Sequence, residues 1–61
     1  MLKKVLIAED YQSANLAIQK TLEAIGITCV DYVYYCDDAL MRIKKGVQHN
    51  ESYDILITDL H

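Results

Sequence analysis

The sequence of 61 residues predicts a small α/β fold with a parallel β-sheet, built as a single domain from alternating strands and helices. Two observations favour this class: short apolar runs alternate with amphipathic segments along the chain, and the first apolar run is continuous. A continuous run is typical of a strand that is buried on both faces, as in a parallel sheet. The predicted order is βαβαβ, and right-handed crossovers would place the helices on the faces of the sheet.

The first third of the chain predicts a strand followed by a helix. Residues 5–8 form the continuous apolar run, and they lead directly into Glu9 and Asp10. In residues 12–25, apolar side chains recur at spacings of four, four and three residues, which predicts one stripe along a helix. The members of this stripe are Ala14, Ile18, Leu22 and Ile25. Gly26 then supplies the expected end of the helix.

Residues 27–35 predict the second strand, because they are rich in β-branched and aromatic side chains. Asp31 within this stretch indicates one wetter side, and therefore a position at the edge of the sheet. The tyrosines of this strand are expected to pack rather than to bind a partner. Cys29 and Cys36 would lie too far apart on an extended strand to form a disulfide, and we expect core or boundary positions for both.

A second helix and a third strand complete the predicted order. Asp37 and Asp38 stand where a helix amino terminus favours negative charge, and basic side chains stand near its expected end at Gly46. A polar loop then leads to residues 53–60, which predict the third strand.

Charge and composition exclude several classes of function. Six basic residues against nine acidic ones give a net charge of -3, which argues against a nucleic-acid-binding surface. No apolar run approaches the roughly 18 residues that span a bilayer, and the first ten residues do not form a signal peptide. We therefore expect a cytoplasmic protein that binds neither nucleic acid nor membrane. His49 and His61 lack partners at the short spacings of zinc sites and are expected at the surface.

Carboxylates gather at the predicted carboxyl ends of two strands. Glu9 and Asp10 follow the first strand, and Asp59 stands at the end of the third. In parallel α/β sheets, functional groups collect at these ends, near the change in winding direction. If the two strands are neighbours, three carboxylates converge, and such like charges normally require a cation. Hard oxygen ligands suit Mg²⁺, which is therefore the predicted cofactor.

The motifs around these acids resemble a known family. They are VLIAED at the first strand, AIGI after the first helix, CDDAL at the start of the second helix, and YDILITDL around Asp59. In this order and spacing, they resemble the amino-terminal half of a response-regulator receiver domain of two-component signalling, and the resemblance covers residues 1–61. It implies a flavodoxin-like parallel sheet of strand order two, one, three, four, five. This chain would hold the first three strands and two helices, a truncated βαβαβ.

The resemblance also implies a role for each acid. Asp59 resembles the phospho-acceptor that takes phosphate from a sensor histidine kinase or a phosphotransfer protein. Asp10 resembles a direct Mg²⁺ ligand, and Glu9 a partner acid that acts through water, although a solvated neighbour of Asp10 would give the same pattern. The family also uses a backbone carbonyl two residues beyond the acceptor, here that of His61.

Receivers continue through two further strands that supply a hydroxyl residue and a lysine, and neither segment is present in these 61 residues. Because these groups report phosphorylation and offset the charge of the phosphoryl group, we expect phosphorylation of this chain to be impaired. An uncovered third strand without proline or lysine also predicts self-association through residues 53–60.

Two other classes of function stay open. A non-catalytic, receiver-like interaction module would dock on a kinase or another receiver and never take phosphate. A magnesium phosphohydrolase of the haloacid-dehalogenase type would need a second aspartate two residues after Asp59, where His61 stands. The chain is therefore predicted to be a signalling domain and not an enzyme.

Overall fold

A computed structural model of the chain describes residues 3–58. Its elements are β1 (Lys4–Ala8), α1 (Gln12–Ala24), β2 (Cys29–Val33), α2 (Cys36–Gln48) and β3 (Ile55–Thr58). The three strands form one parallel sheet of order β2-β1-β3. The predicted βαβαβ order and the edge position of β2 are confirmed. Within residues 3–58, neither helix has the length and apolar character needed to cross a membrane.

β1 lies at the centre of both the sheet and the core. It has a strand on each side and a helix over each face, and Val5, Leu6 and Ile7 are fully buried. Leu6 and Ala8 point to one face and pack beneath α2, whereas Val5 and Ile7 point to the other face and pack beneath α1. The two helices therefore cover opposite faces of the sheet, which explains why the first apolar run is continuous.

α1 ends in a Schellman motif around Gly26. The N–H of Gly26 donates to the carbonyl of Glu23 at 3.0 Å, and the N–H of Ile27 donates to the carbonyl of Leu22 at 2.9 Å. Gly26 has a φ of 88°, a conformation that glycine adopts without a Cβ clash. The predicted helix stop is confirmed. The prediction that Ile25 is the last member of the apolar stripe is wrong, because Ile25 lies at the turn beyond the helix and is exposed.

α2 continues past Gly46 to Gln48, so the predicted end of this helix is wrong. A Cβ at Gly46 would lie 2.7 Å from the carbonyl oxygen of Glu51. The N–H of Glu51 donates to the Gly46 carbonyl at 2.7 Å. The glycine thus allows the chain to fold back closely against α2 and does not end the helix. Asp37 and Asp38 lie in the first turn of α2, where they were expected.

Several side chains that were expected to pack are exposed on β2 or at the start of α2. Cys29 and Cys36 are free thiols at the surface, and Tyr32 and Tyr35 are also exposed. Tyr32 and Tyr34 contact each other edge to face, with ring centroids 5.9 Å apart. β2 is shorter than predicted and has a neighbouring strand on one side only among the described residues. Tyr35 and Cys36 thus lie beyond the strand, at the start of α2.

A polar cluster joins the amino-terminal end of β3 to the other strands. The Tyr53 hydroxyl donates to Asp31 Oδ2 at 2.5 Å, and Arg42 Nη1 lies 4.0 Å from the same oxygen. Lys4 Nζ lies 4.8 Å from the centre of the Tyr53 ring. The backbone N–H of Lys4 donates to Asp54 Oδ2 at 2.9 Å, and the N–H of Asp54 donates to the Lys4 carbonyl at 2.8 Å. Asp31, which indicated a wet edge in the sequence, thus has a structural role.

The stability of the fold should depend on the protonation of Tyr53. Burial, followed by the hydrogen bond and charge of Asp31, raises the pKa of the Tyr53 phenol from 10.0 to about 12. The folded state holds this proton more tightly than the unfolded state. The resulting stabilisation is therefore complete below pH 10.0 and is lost as the pH rises through about 12.

We predict that Tyr53→Phe lowers the free energy of unfolding at neutral pH by about 1 kcal/mol, because it removes the hydrogen bond to Asp31. The variant should also lack the part of the alkaline loss of stability that Tyr53 causes. Urea unfolding at a series of pH values measures both effects. Tyr32→Phe is the matched control, since Tyr32 is exposed. Identical alkaline profiles for the wild type and Tyr53→Phe would contradict the prediction.

The outer edge of β3 predicts self-association of the 61-residue chain. Within residues 3–58, β3 pairs with β1 alone, and the Leu56 side chain beside the open edge is 49% exposed. Unpaired backbone groups next to apolar side chains favour pairing with another chain, and a lysine at such an edge opposes it. Leu56→Lys should therefore raise the dissociation constant of the associated form by about tenfold or more.

Sedimentation velocity at several concentrations measures this change. Leu16→Lys on α1 is the matched control, because Leu16 is a leucine of nearly the same exposure, 48%, on a helix. An equal effect of both lysines would show that general charge, and not the β3 edge, controls association. A wild-type protein that stays monomeric at every concentration would also contradict the prediction.

Candidate functional site

The carboxyl ends of β1 and β3 meet where the chain changes its winding direction. The first crossover leaves β1 through α1 and reaches β2 on one side of the sheet. The second passes through α2, on the opposite face, and reaches β3 on the other side of β1. Crevices at such a switch point are the usual ligand sites of parallel α/β sheets. The register pairs Ala8 with Thr58, so Thr58 lies beside the residue that precedes Glu9.

Glu9 is held at three of its atoms immediately after β1. Its N–H donates to the Val33 carbonyl at 3.2 Å, and its own carbonyl accepts from Asn15 Nδ2 at 3.0 Å. Its carboxylate oxygen Oε1 accepts from the backbone N–H of Tyr11 at 3.0 Å. Glu9 is only 2% exposed, so the alternative of a solvated neighbour of Asp10 is wrong.

The Glu9 carboxylate lies at the amino terminus of α1. Tyr11 is the N-cap residue of this helix, and its own side chain makes no capping hydrogen bond. The first N–H groups of a helix lack partners within the helix, and a negative charge near them is favourable. Glu9 therefore satisfies a donor beside the helix start and holds the β1–α1 loop in a compact turn. Asp10, the next residue, is exposed at the same edge of the sheet.

Asn15 is the residue of this site that the sequence interpretation missed. It is fully buried, and its Nδ2 donates to the carbonyls of Glu9 at 3.0 Å and Val33 at 3.1 Å. Its Oδ1 accepts from Gln19 Nε2 at 2.8 Å. A signal for this residue is present in the sequence, since Asn15 precedes Leu22 by seven positions and so shares its buried helix face.

The ligand atoms that the described residues offer are of the kind that Mg²⁺ prefers, but they are too few to hold the ion. Carboxylate oxygens are preferred ligands of this ion, and Glu9 and Asp10 supply them at the switch point. Among residues 3–58, no group of three or more His, Cys, Asp or Glu side chains comes together to hold a metal. Asp59 and the backbone carbonyl of His61 lie outside the described residues, so the convergence of all four ligands stays a prediction. His49 is exposed, as expected.

Comparisons of the chain with protein-family models, curated proteins and solved structures find no match. The function is therefore inferred from the switch point, the acid pair and the sequence that follows β3.

Replacement of Glu9 tests whether its carboxylate stabilises the β1–α1 loop. We predict that Glu9→Ala lowers the free energy of unfolding by about 1–3 kcal/mol, because the Tyr11 N–H loses a charged, partly buried acceptor. Glu23→Ala is the matched control, since Glu23 is an exposed glutamate of α1, and it should change stability by less than about 0.5 kcal/mol. Urea unfolding measures both. Equal effects of the two substitutions would show that the Glu9 carboxylate does not support the loop.

Proposed function

We propose that the chain is the amino-terminal half of a receiver domain with flavodoxin-like winding, and that Asp59 takes a phosphoryl group from a histidine kinase or a phosphotransfer protein. The observation that supports this function best is the parallel pairing of β1 with β3 in the register Ala8 to Thr58. If the register continued by one residue, Asp59 would stand beside Glu9. The acid pair after β1 and the acid after β3 would then share one crevice.

The winding of the sheet supports the same class of fold. In the order β2-β1-β3, the first strand is central, and the second and third strands flank it. This is the first half of the strand order two, one, three, four, five, whose ligand site lies between strands one and three. The continuous burial of β1 and the wetter β2 agree with a central strand and an edge strand of such a sheet.

The proposed reaction is a transfer of a phosphoryl group between a nitrogen and a carboxylate oxygen. An oxygen of Asp59 attacks phosphorus while the bond from phosphorus to the histidine nitrogen breaks, and the electron pair of that bond returns to the imidazole. The product is an aspartyl phosphate and a free histidine. Mg²⁺, held by Asp10, Asp59 and the His61 carbonyl, with Glu9 acting through water, would offset the charge of the phosphoryl oxygens.

In this chemistry, the role of the described residues is to hold the acid pair, Glu9 and Asp10, in place. β1 is fixed by burial on both faces. The hydrogen bonds of Glu9 with Tyr11 and Asn15 hold the loop that carries the acid pair. A positioned acid pair lowers the cost of bringing a charged phosphoryl group to a negative edge, because the cation site is organised in advance. In this role, the protein acts in the cytoplasm with a kinase as its partner, and binds neither nucleic acid nor membrane.

Incubation with acetyl phosphate and Mg²⁺ tests the function. We predict that intact-protein mass spectrometry detects a slowly formed, alkali-labile adduct of one phosphoryl group, and that Asp59→Asn abolishes it. Asp38→Asn is the matched control, since Asp38 is an exposed aspartate in the first turn of α2. This control should be modified like the wild type, and chelation of Mg²⁺ should prevent the reaction in both.

An adduct that persists in Asp59→Asn would overturn Asp59 as the acceptor. The absence of any adduct in folded wild-type protein would overturn phospho-acceptance. It would favour the non-catalytic, receiver-like module that docks on a kinase or another receiver. The use of the Glu9 carboxylate to hold the start of α1 is the observation that favours this second function, because that role needs no metal or phosphate.

A further inference from the structure

We infer that Asn15 is a positioning residue that sets the orientation of the acid pair at the switch point. Its amide nitrogen bonds to two carbonyls from different strand ends, that of Glu9 after β1 and that of Val33 at the end of β2. One side chain of α1 therefore holds both chain segments beside the candidate site. Only the effect of Asn15 on Mg²⁺ rests on the proposed function.

The bond to the Glu9 carbonyl acts directly on the backbone of Asp10. The carbonyl of Glu9 and the N–H of Asp10 belong to one planar peptide unit, so a constraint on the oxygen orients the whole plane. Asn15 Nδ2 holds that oxygen at 3.0 Å, and Val33 holds the Glu9 N–H at 3.2 Å. Glu9 is thus constrained on both sides of its Cα, and the start of Asp10 is set with it.

The orientation of the Asn15 amide is itself determined by Gln19. An asparagine amide has two N–H donors on one atom and a carbonyl acceptor on the other. Gln19 Nε2 donates to Asn15 Oδ1 at 2.8 Å, which directs the Nδ2 donors toward the Glu9 and Val33 carbonyls. With the amide reversed, its oxygen would face two carbonyl oxygens. Gln19 therefore acts on the acid pair through Asn15, one helical turn away.

The placement of Asn15 indicates more than a contribution to packing. It occupies a fully buried position on the face of α1 that packs Leu22 into the core, where an apolar side chain would avoid the cost of burying an amide. Every buried side-chain polar atom among the described residues has a hydrogen-bond partner, so that cost is offset within the network. The partners of Asn15 Nδ2 are both at the carboxyl edge of the sheet.

Three variants separate positioning from stability. Asn15→Ala removes both donors, Gln19→Ala leaves the donors but frees the amide, and Gln48→Ala makes the same chemical change at an exposed glutamine of α2. Three quantities are measured: backbone amide chemical shifts without metal, the Mg²⁺ dissociation constant from an amide titration, and the urea midpoint. Partners of metal ligands commonly change affinity by about 10- to 100-fold when removed.

We expect Asn15→Ala to weaken Mg²⁺ binding by about 10- to 100-fold. Gln19→Ala should weaken it several-fold, with a urea midpoint close to that of Gln48→Ala and with metal-free amide shifts concentrated at Glu9, Asp10 and Tyr11. If Asn15→Ala does not fold, Gln19→Ala decides alone. The positioning role would be overturned if Gln19→Ala and Gln48→Ala had the same Mg²⁺ affinity and the same metal-free amide shifts at Glu9, Asp10 and Tyr11.

The absence of Mg²⁺-dependent shifts in the wild type would overturn the metal part of the proposed function. The positioning role of Asn15 would then be tested separately. In that case, the metal-free spectra decide: shifts in Gln19→Ala that extend beyond the substituted turn to residues 9–11 support positioning, and wild-type shifts at residues 9–11 overturn it.

Discussion

The burial of β1 on both faces is the constraint on which the rest of the structure depends. Val5, Leu6 and Ile7 are fully buried only because a strand lies on each side of β1 and a helix over each face. In a chain of 61 residues there is little apolar surface to divide between two faces, so one strand must serve both. The two crossovers must therefore pass on opposite faces, and this produces the switch point at the carboxyl end of β1.

The polar groups at that end follow from the same constraint. A strand that is buried as far as its last residue must leave the core abruptly, and the residue that follows it, Glu9, still lies against Asn15 of α1. Glu9 is consequently buried, and its polar atoms bond to the Tyr11 N–H, the Val33 carbonyl and the amide of Asn15. A buried carboxylate without such partners would cost several kcal/mol. The acid pair is thus held in place by the requirement that its backbone and side chain be satisfied.

Elements that depend on local sequence signals were predicted correctly. Predictions were wrong where contacts between different elements determine the structure. The strand β1 and the end of α1 at Gly26 were predicted without information on which elements lie beside them in the fold. Gly46 was interpreted as a helix end, yet its reason is the Glu51 carbonyl, five residues away in sequence and close in space. Tyr32 and Tyr35 were expected to pack because aromatic residues favour strands. Tyr32 lies on the edge strand β2, and Tyr35 lies beyond that strand as the N-cap residue of α2. Strand propensity predicts neither placement.

The candidate site was predicted only in part for the same reason. Two acids after one strand and an acid after another were visible as a pattern, because carboxyl ends of parallel strands meet at one edge. The participation of Asn15 depends on which helix face lies over the strand ends, and its periodic position was a usable signal only in combination with that topology. Asp59 and His61 lie beyond the described residues, so their part in the site rests on the sequence and on the register of β3.

The amino-terminal end of β3 is anchored to the neighbouring strands by backbone and side-chain hydrogen bonds. Among the described residues, β3 is joined to β1 along one edge, and its amino-terminal end is held by the Lys4 and Asp54 backbone and by the Tyr53 hydroxyl on Asp31. Thr58, at the opposite end, lies four residues beyond this anchor. A short strand that is anchored at one end transmits changes in register along its length, because a slip by one residue turns every side chain to the other face. The placement of Thr58 beside Ala8 therefore depends on a register that the Lys4, Asp31 and Tyr53 cluster fixes at the opposite end of the strand.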